Sequence, residues 1–185
     1  EGTGVRPVRT IDLGSVSVDL LQIGAFRSDA GAIFGPVPRT TWEPLVRDEI
    51  DAESRLLQSL NTLHVRTPSG ALLLETGAIP AGERRDSGEL WSVSARDALI
   101  ASGVDPDSLR YVVPSHLHRD HAGGLTGSGG VAAFPRATIV APQAEIDAVA
   151  SASARARAAY DQPLLTNLFA NSPPDAFLDR RQLLP

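Results

Sequence analysis

The ten residues from Ser115 to Gly124, SHLHRDHAGG, constrain this chain more than any other stretch. Three of its four histidines lie there, in the pattern His116-x-His118-x-Asp120-His121. Imidazole nitrogens and carboxylate oxygens are ligands that zinc accepts, and to a lesser degree iron or manganese. A chain entering the motif as a strand presents alternate side chains on one side. His116, His118 and Asp120 then share a face, and His121 turns in from the bend that follows. Such a layout serves two adjacent metals, with His116 and His118 on one and Asp120 and His121 on the other.

A lone histidine is more often a packed or solvated residue than a ligand. His64, in the middle of a strand-like run far upstream, is read that way, as structural. The cluster is different. From the chain's own His and Asp frequencies the four-residue pattern arises by accident in roughly one such chain in ten thousand. No G-x-S-x-G elbow accompanies the many serines, so a serine nucleophile has no sequence support. Gly127-Ser-Gly-Gly130 lacks the Lys and Ser/Thr of a phosphate-binding loop and reads as a flexible connection.

The surrounding pattern is that of an α/β domain. Alternating apolar residues predict a strand over Ile11–Ile23, and Ser28–Pro44, rich in Gly and Pro, reads as a loop. Ser59–Thr67 and Ala71–Glu75, joined by Pro68-Ser-Gly70, predict a hairpin. Ala78–Glu89 is a polar loop. Trp91–Ser102 has near-helical apolar spacing, with Gly103 placed to end the helix. Leu109–Pro114 is the buried strand that delivers the histidine motif, so the ligands lie past a strand's C-terminal end, where α/β sites form. Ala137–Ala141 predicts another strand and alanine-rich Pro142–Tyr160 a helix, with Glu145 near its N-terminus and Arg155 and Arg157 on a solvated face. Asp161–Pro185 reads as a long loop.

Length and charge bound the partners. A chain of 185 residues fits one domain. A net charge of −5 argues against a nucleic-acid backbone or an anionic membrane as the main partner, leaving a small molecule. With no cysteine there are no disulfides and no thiolate ligands. No apolar run reaches the roughly 18 residues of a membrane span, and a cytoplasmic setting is the expectation.

HxHxDH followed by a small residue and Gly-Gly resembles the signature of the metallo-β-lactamase-fold hydrolases. Ala71-Leu-Leu-Leu-Glu-Thr-Gly77 resembles that family's apolar strand ending in Asp-Thr-Gly. Gly31-Ala-Ile-Phe-Gly-Pro-Val-Pro-Arg-Thr-Thr-Trp42 resembles a segment of the branch holding N-acyl-homoserine-lactone lactonases and related esterase or organophosphate hydrolases. The resemblance runs from about Val16 to about Leu184. It implies a fold of two β-sheets with helices on both outer faces, an αββα sandwich, of which this chain supplies the first half and the start of the second. Two departures stand out. Glu75 occupies the place of the family's aspartate, which supports the metal ligands from behind, and moves the carboxylate out by one methylene. No histidine follows His121, where the family supplies further ligands. The chain is therefore expected to be a C-terminally truncated single domain, 1–185.

The resemblance implies hydrolysis by a metal-bound hydroxide, formed because a metal lowers the pKa of water from 15.7 toward about 7. Zinc is the expected metal, two ions being implied, and Asp120 is the expected catalytic residue, orienting the hydroxide and carrying a proton to the leaving group. The expected substrate is a lactone or related ester, with β-lactams, thioesters and organophosphates also open to the same centre. Phe34 and Trp42 are the candidate apolar wall for an acyl chain or aryl group, or else an anchor of the N-terminal loop. Phe169 and Phe177 are candidates for the entrance or for ordinary packing. The alternative is a metal-binding or interaction module without catalysis, whose exposed sheet favours a homodimer.

Overall fold

The computed structural model describes residues 7–78, 88–127, 130–153, 157 and 159–177. The chain opens with an antiparallel pair, β1 (Pro7–Asp12) and β2 (Ser17–Asp29), so the strand expected over Ile11–Ile23 is divided by a turn. Gly14 sits in that turn at φ +80°, a conformation that costs glycine nothing, and Leu13 N–H donates to Val16 O at 2.8 Å. β2 runs along the full length of β3 (Arg55–Thr67), which returns through the expected hairpin as β4 (Gly70–Leu74).

Between β2 and β3, where a loop was expected, lie two short helices, α1 (Ala30–Phe34) and α2 (Arg39–Trp42). Asp29 starts the first by accepting Ala32 N–H at 2.7 Å, and Gly35 at φ +55° ends it. β5 (Glu89–Ser92) then pairs with β2, placing Trp91 opposite Ala25. The helix expected from Trp91 accordingly begins only at α3 (Ala95–Ala101), because the backbone of Trp91 and Ser92 is committed to the sheet. Ser94 caps α3 by accepting Asp97 N–H at 2.9 Å, and Gly103 follows it at φ +79°.

β6 (Leu109–Val113) pairs in parallel with β4, and β7 (Thr138–Pro142) with β6. The connection between β6 and β7 contains α4 (Arg119–Ala122). After β7 comes α5 (Gln143–Ser151), shorter than the helix expected to reach Tyr160. The supposed terminal loop contains a helix, α6 (Gln162–Asn171), and a strand, β8 (Asp175–Phe177), parallel to β7. Pro163 in the first turn of α6 and the buried pair Leu165 and Leu168, three apart, are the local reasons for that helix.

The result is one mixed sheet in the order β1-β2-β3-β4-β6-β7-β8, with β5 on β2. Antiparallel pairing occupies the N-terminal half and parallel pairing the C-terminal half. One sheet face carries Leu21, Ile23, Leu73, Val112 and Ile139, which form a single core with Ala98 and Leu99 of α3, Val149 of α5 and Leu165 and Leu168 of α6. Phe169 packs partly buried against the same core. The alternate positions Leu63, Val65, Leu72, Leu74, Tyr111 and Val113 are half-buried on the opposite face. The α/β class expected from the sequence is thus present, and the second sheet of the expected sandwich has no strand among the described residues. No helix there is long and apolar enough to cross a membrane.

His64 is buried in β3 opposite Asp19 of β2, and its Nδ1 lies 3.3 Å from Asp19 Oδ2. Arg66 and Thr10 also donate to the Asp19 carboxylate. His64 is therefore packed against Asp19 in the sheet and takes no part in the histidine motif.

Candidate metal centre

Pro114, fully buried and without an N–H to continue the ladder, follows the last residue of β6. The histidines therefore do not extend a strand, contrary to the geometry read from the sequence. His116 and His118 lie in the bend beyond β6, while Asp120 and His121 lie on α4. Leu117 between the histidines is completely buried in the main core. The rings of its two neighbours meet edge-on, with centroids 4.6 Å apart. One ligand atom each from His116, His118 and Asp120 can be chosen so that all lie within 4.8 Å of one another.

The short α4 is fastened to the end of β4. Thr76 N–H and Thr76 Oγ1 both donate to His121 O, at 2.8 and 3.0 Å, and Gly124 N–H donates to Gly77 O at 3.0 Å. A Cβ on Gly124 would come within 2.2 Å of Thr76 O, so the second glycine after the motif is required by backbone contact. Gly77, at φ +67°, has Ile23 Cδ1 only 2.5 Å from where a Cβ would stand. The ends of two parallel strands, β4 and β6, thus deliver the Thr-Gly turn and the histidine bend to one place.

His121 lies beside the triad rather than within it. Its ring centroid is 3.9 Å from that of His116, and its Nε2 is 3.5 Å from Asp120 Oδ2. Its Nδ1 is 3.0 Å from Glu75 Oε2, while Glu75 Oε1 accepts Ser115 N–H at 3.0 Å. Glu75, the residue expected behind the ligands, thus ties β4 to both ends of the bend. A hydrogen bond to one ring nitrogen leaves the other pointed at the site, the usual way a carboxylate orients a metal-binding histidine. Ser115 Oγ lies 3.0 Å from His116 Nδ1 and has the same effect on that ring.

In the metal-free protein Asp120 and then Glu75 push the His121 pKa up to about 9. His121 holds Asp120 below the usual carboxylate range, against the opposing effect of burial. Burial acts to raise Glu75, but hydrogen bonds from His121 and Ser115 outweigh it and the pKa is lowered. Burial and the neighbouring His121 and His118 push His116 down, toward the neutral form that a metal takes. Two imidazoles and a carboxylate converging in this way are the donor set that zinc, iron or manganese accepts.

A cavity of about 330 Å³ opens beside these groups, lined by Phe26, Gln58, Ser59, Leu60, Asn61, Glu75, Asp120 and His121. Its β2 and β3 lining carried no sequence signal beyond strand alternation. Phe34 and Trp42 are elsewhere. They stack with centroids 4.7 Å apart in a small cluster with Ala30 and Leu56, and neither lines this cavity. Glu145 and Tyr160, which brace the bend, were not singled out for the site from the sequence.

The sequence profile of the metallo-β-lactamase superfamily matches residues 59–163, more than half of the chain and the whole histidine motif with Glu75. The chain belongs to the metallo-β-lactamase superfamily. Within that superfamily it is 36% identical over 88 residues to N-acyl homoserine lactonase AttM of Rhizobium johnstonii, covering 45% of this chain and 31% of that protein. Its fold is similar to that of a probable metal-dependent hydrolase from Staphylococcus aureus (TM-score 0.73, 24% identity, 82% of this chain and 56% of that one). It is also similar to AidC, a dizinc quorum-quenching lactonase in complex with a product N-hexnoyl-L-homoserine (TM-score 0.71, 23% identity, 92% and 60%). The chain therefore spans about a third of the lactonase AttM and just over half of these two structures.

Proposed function

We propose that this chain carries the metal-binding half of a hydrolase that opens a lactone or a related ester. The observation that carries the reading is the convergence of His116, His118 and Asp120, with donor atoms within 4.8 Å, beside a cavity of about 330 Å³. Zinc is the proposed metal and two ions the proposed number, supported by the dizinc AidC. His116 and His118 hold one ion; Asp120 and His121, the latter oriented by Glu75, hold the other. Bound there, divalent zinc supplies water acidified toward a pKa of about 7 and a charge that polarises an ester carbonyl.

The protein's own groups do the rest. Asp120 Oδ2, half exposed beside His121 Nε2, is placed to carry a proton to the leaving alkoxide. Phe26 and Leu60 give the cavity an apolar side for an acyl chain, and Gln58, Ser59 and Asn61 give it hydrogen-bonding groups for an amide or ester. The choice of a lactone rests on the likeness to AttM and AidC.

A second reading, a metal-binding module without turnover of its own, is favoured by the half-buried apolar sheet face. One experiment separates them: metal per chain by elemental mass spectrometry after zinc reconstitution, for the parent and His118→Ala, with lactone hydrolysis on the same samples. About two zinc ions, lost in the variant, together with hydrolysis, support the enzyme. Zinc without hydrolysis supports the module, and zinc near zero in both proteins sinks the metal site.

A further inference from the structure

We infer that Glu145 is the positioning residue that holds the His116–His118 bend in its ligand-presenting shape; the inference rests on the metal reading of that bend. Glu145 stands in the first turn of α5, where an acidic residue ordinarily bonds back to the N-cap amide. Here the N-cap is Pro142, which has no N–H, and no side chain caps the helix. The carboxylate is thereby released from local duty and reaches across 28 residues of chain. Its Oε2 accepts Leu117 N–H at 3.0 Å, the one amide that lies between the two histidines.

A second strut converges on the same oxygen. Tyr160 Oη donates to Glu145 Oε2 at 3.4 Å, and the Tyr160 ring meets the His118 ring edge-on with centroids 4.9 Å apart. Burial, then the Glu145 charge, raises the Tyr160 pKa and keeps the phenol a donor. Next to it, Arg119 N–H donates to Ala159 O at 2.9 Å. The buried Leu117 side chain fixes the bend from below, and the Glu145 carboxylate fixes its backbone from the side. A hydrogen bond to an ionised acceptor is about twice as strong as a neutral one, which suits a strut between separate elements. Glu145 touches neither ligand nitrogen, so it acts through Leu117 and Tyr160.

The test is hydrogen exchange at the Leu117 amide in metal-free protein, together with zinc affinity by chelator competition and the visible spectrum of the cobalt(II)-substituted site. Glu145→Ala is expected to speed Leu117 exchange while amides of β4 and β6 stay protected. It is also expected to weaken zinc binding about 10- to 100-fold, as loss of an outer support does, and to alter the cobalt spectrum. Glu145→Gln keeps an acceptor oxygen and restores most of both; Tyr160→Phe has a smaller effect on the spectrum alone. Should the alanine variant not fold, Glu145→Asp, one methylene short, takes its place. Unchanged Leu117 exchange overturns the inference, as does faster exchange with unchanged zinc affinity, or a glutamine variant as impaired as alanine. A parent that binds no zinc while Leu117 stays protected overturns it too, and marks the failure as that of the metal reading.

Discussion

Glu75 Oε2 and His121 Nδ1 lie 3.0 Å apart, joining the residue after β4 to the second residue of α4's acidic-basic pair. The longer side chain, in place of the superfamily's aspartate, still reaches both His121 and the Ser115 amide. It does so from a backbone at φ +64°, an uncommon conformation for a residue with a side chain.

Removing this support is expected to loosen the site without unfolding the protein. Glu75→Ala should weaken zinc binding about 10- to 100-fold, and Glu75→Gln, which keeps an acceptor for His121, should lie between it and the parent. Chelator competition measures both. Equal affinity in all three proteins would remove Glu75 from the site.

The contact between Gly124 and the Thr76 carbonyl leaves no room for a methyl group. Gly124→Ala is expected to cost about 1–3 kcal/mol or more in urea unfolding, because backbone must move on both sides. Gly103→Ala is the comparison, since nothing lies within 4 Å of its added Cβ and only its φ of +79° is at odds with a side chain. Its expected cost is about 1–2 kcal/mol, from left-handed backbone strain alone. A Gly124 variant no worse than the Gly103 variant would contradict the close approach of α4 to the end of β4.

The Asp19–His64 pair sets a pH dependence away from the site. Burial holds the His64 pKa below its ordinary 6.5, although Asp19 opposes this, so the folded state favours the neutral ring. At pH above 6.5 both states are neutral and nothing is lost; below it the unfolded chain takes up the proton first and stability falls. Asp19, held below 3.8 by Arg66, Thr10 and His64 against the opposing effect of burial, adds a second loss as pH drops below that value. The stability of His64→Gln is expected to fall less than the parent's between pH 7 and pH 5 in urea titrations. Parallel profiles would show that His64 titrates alike in both states.

Much of this protein was legible in its residues because the signals are local. The ligand set, the Thr-Gly and Gly-Gly turns, the β3–β4 hairpin and the parallel strand β6 follow from residue chemistry and short-range alternation. Periodicity reports which faces are buried and not against what. Trp91 therefore read as helix until pairing with Ala25 made it strand, and α6 was hidden in a stretch whose apolar spacing matters only against α5 and the core. Tertiary structure alone set Phe26 and Asn61 beside Asp120 in the cavity and aimed Glu145 at Leu117. Each of these is a contact between elements distant in sequence, which chain closure and core packing decide and no short window of residues records.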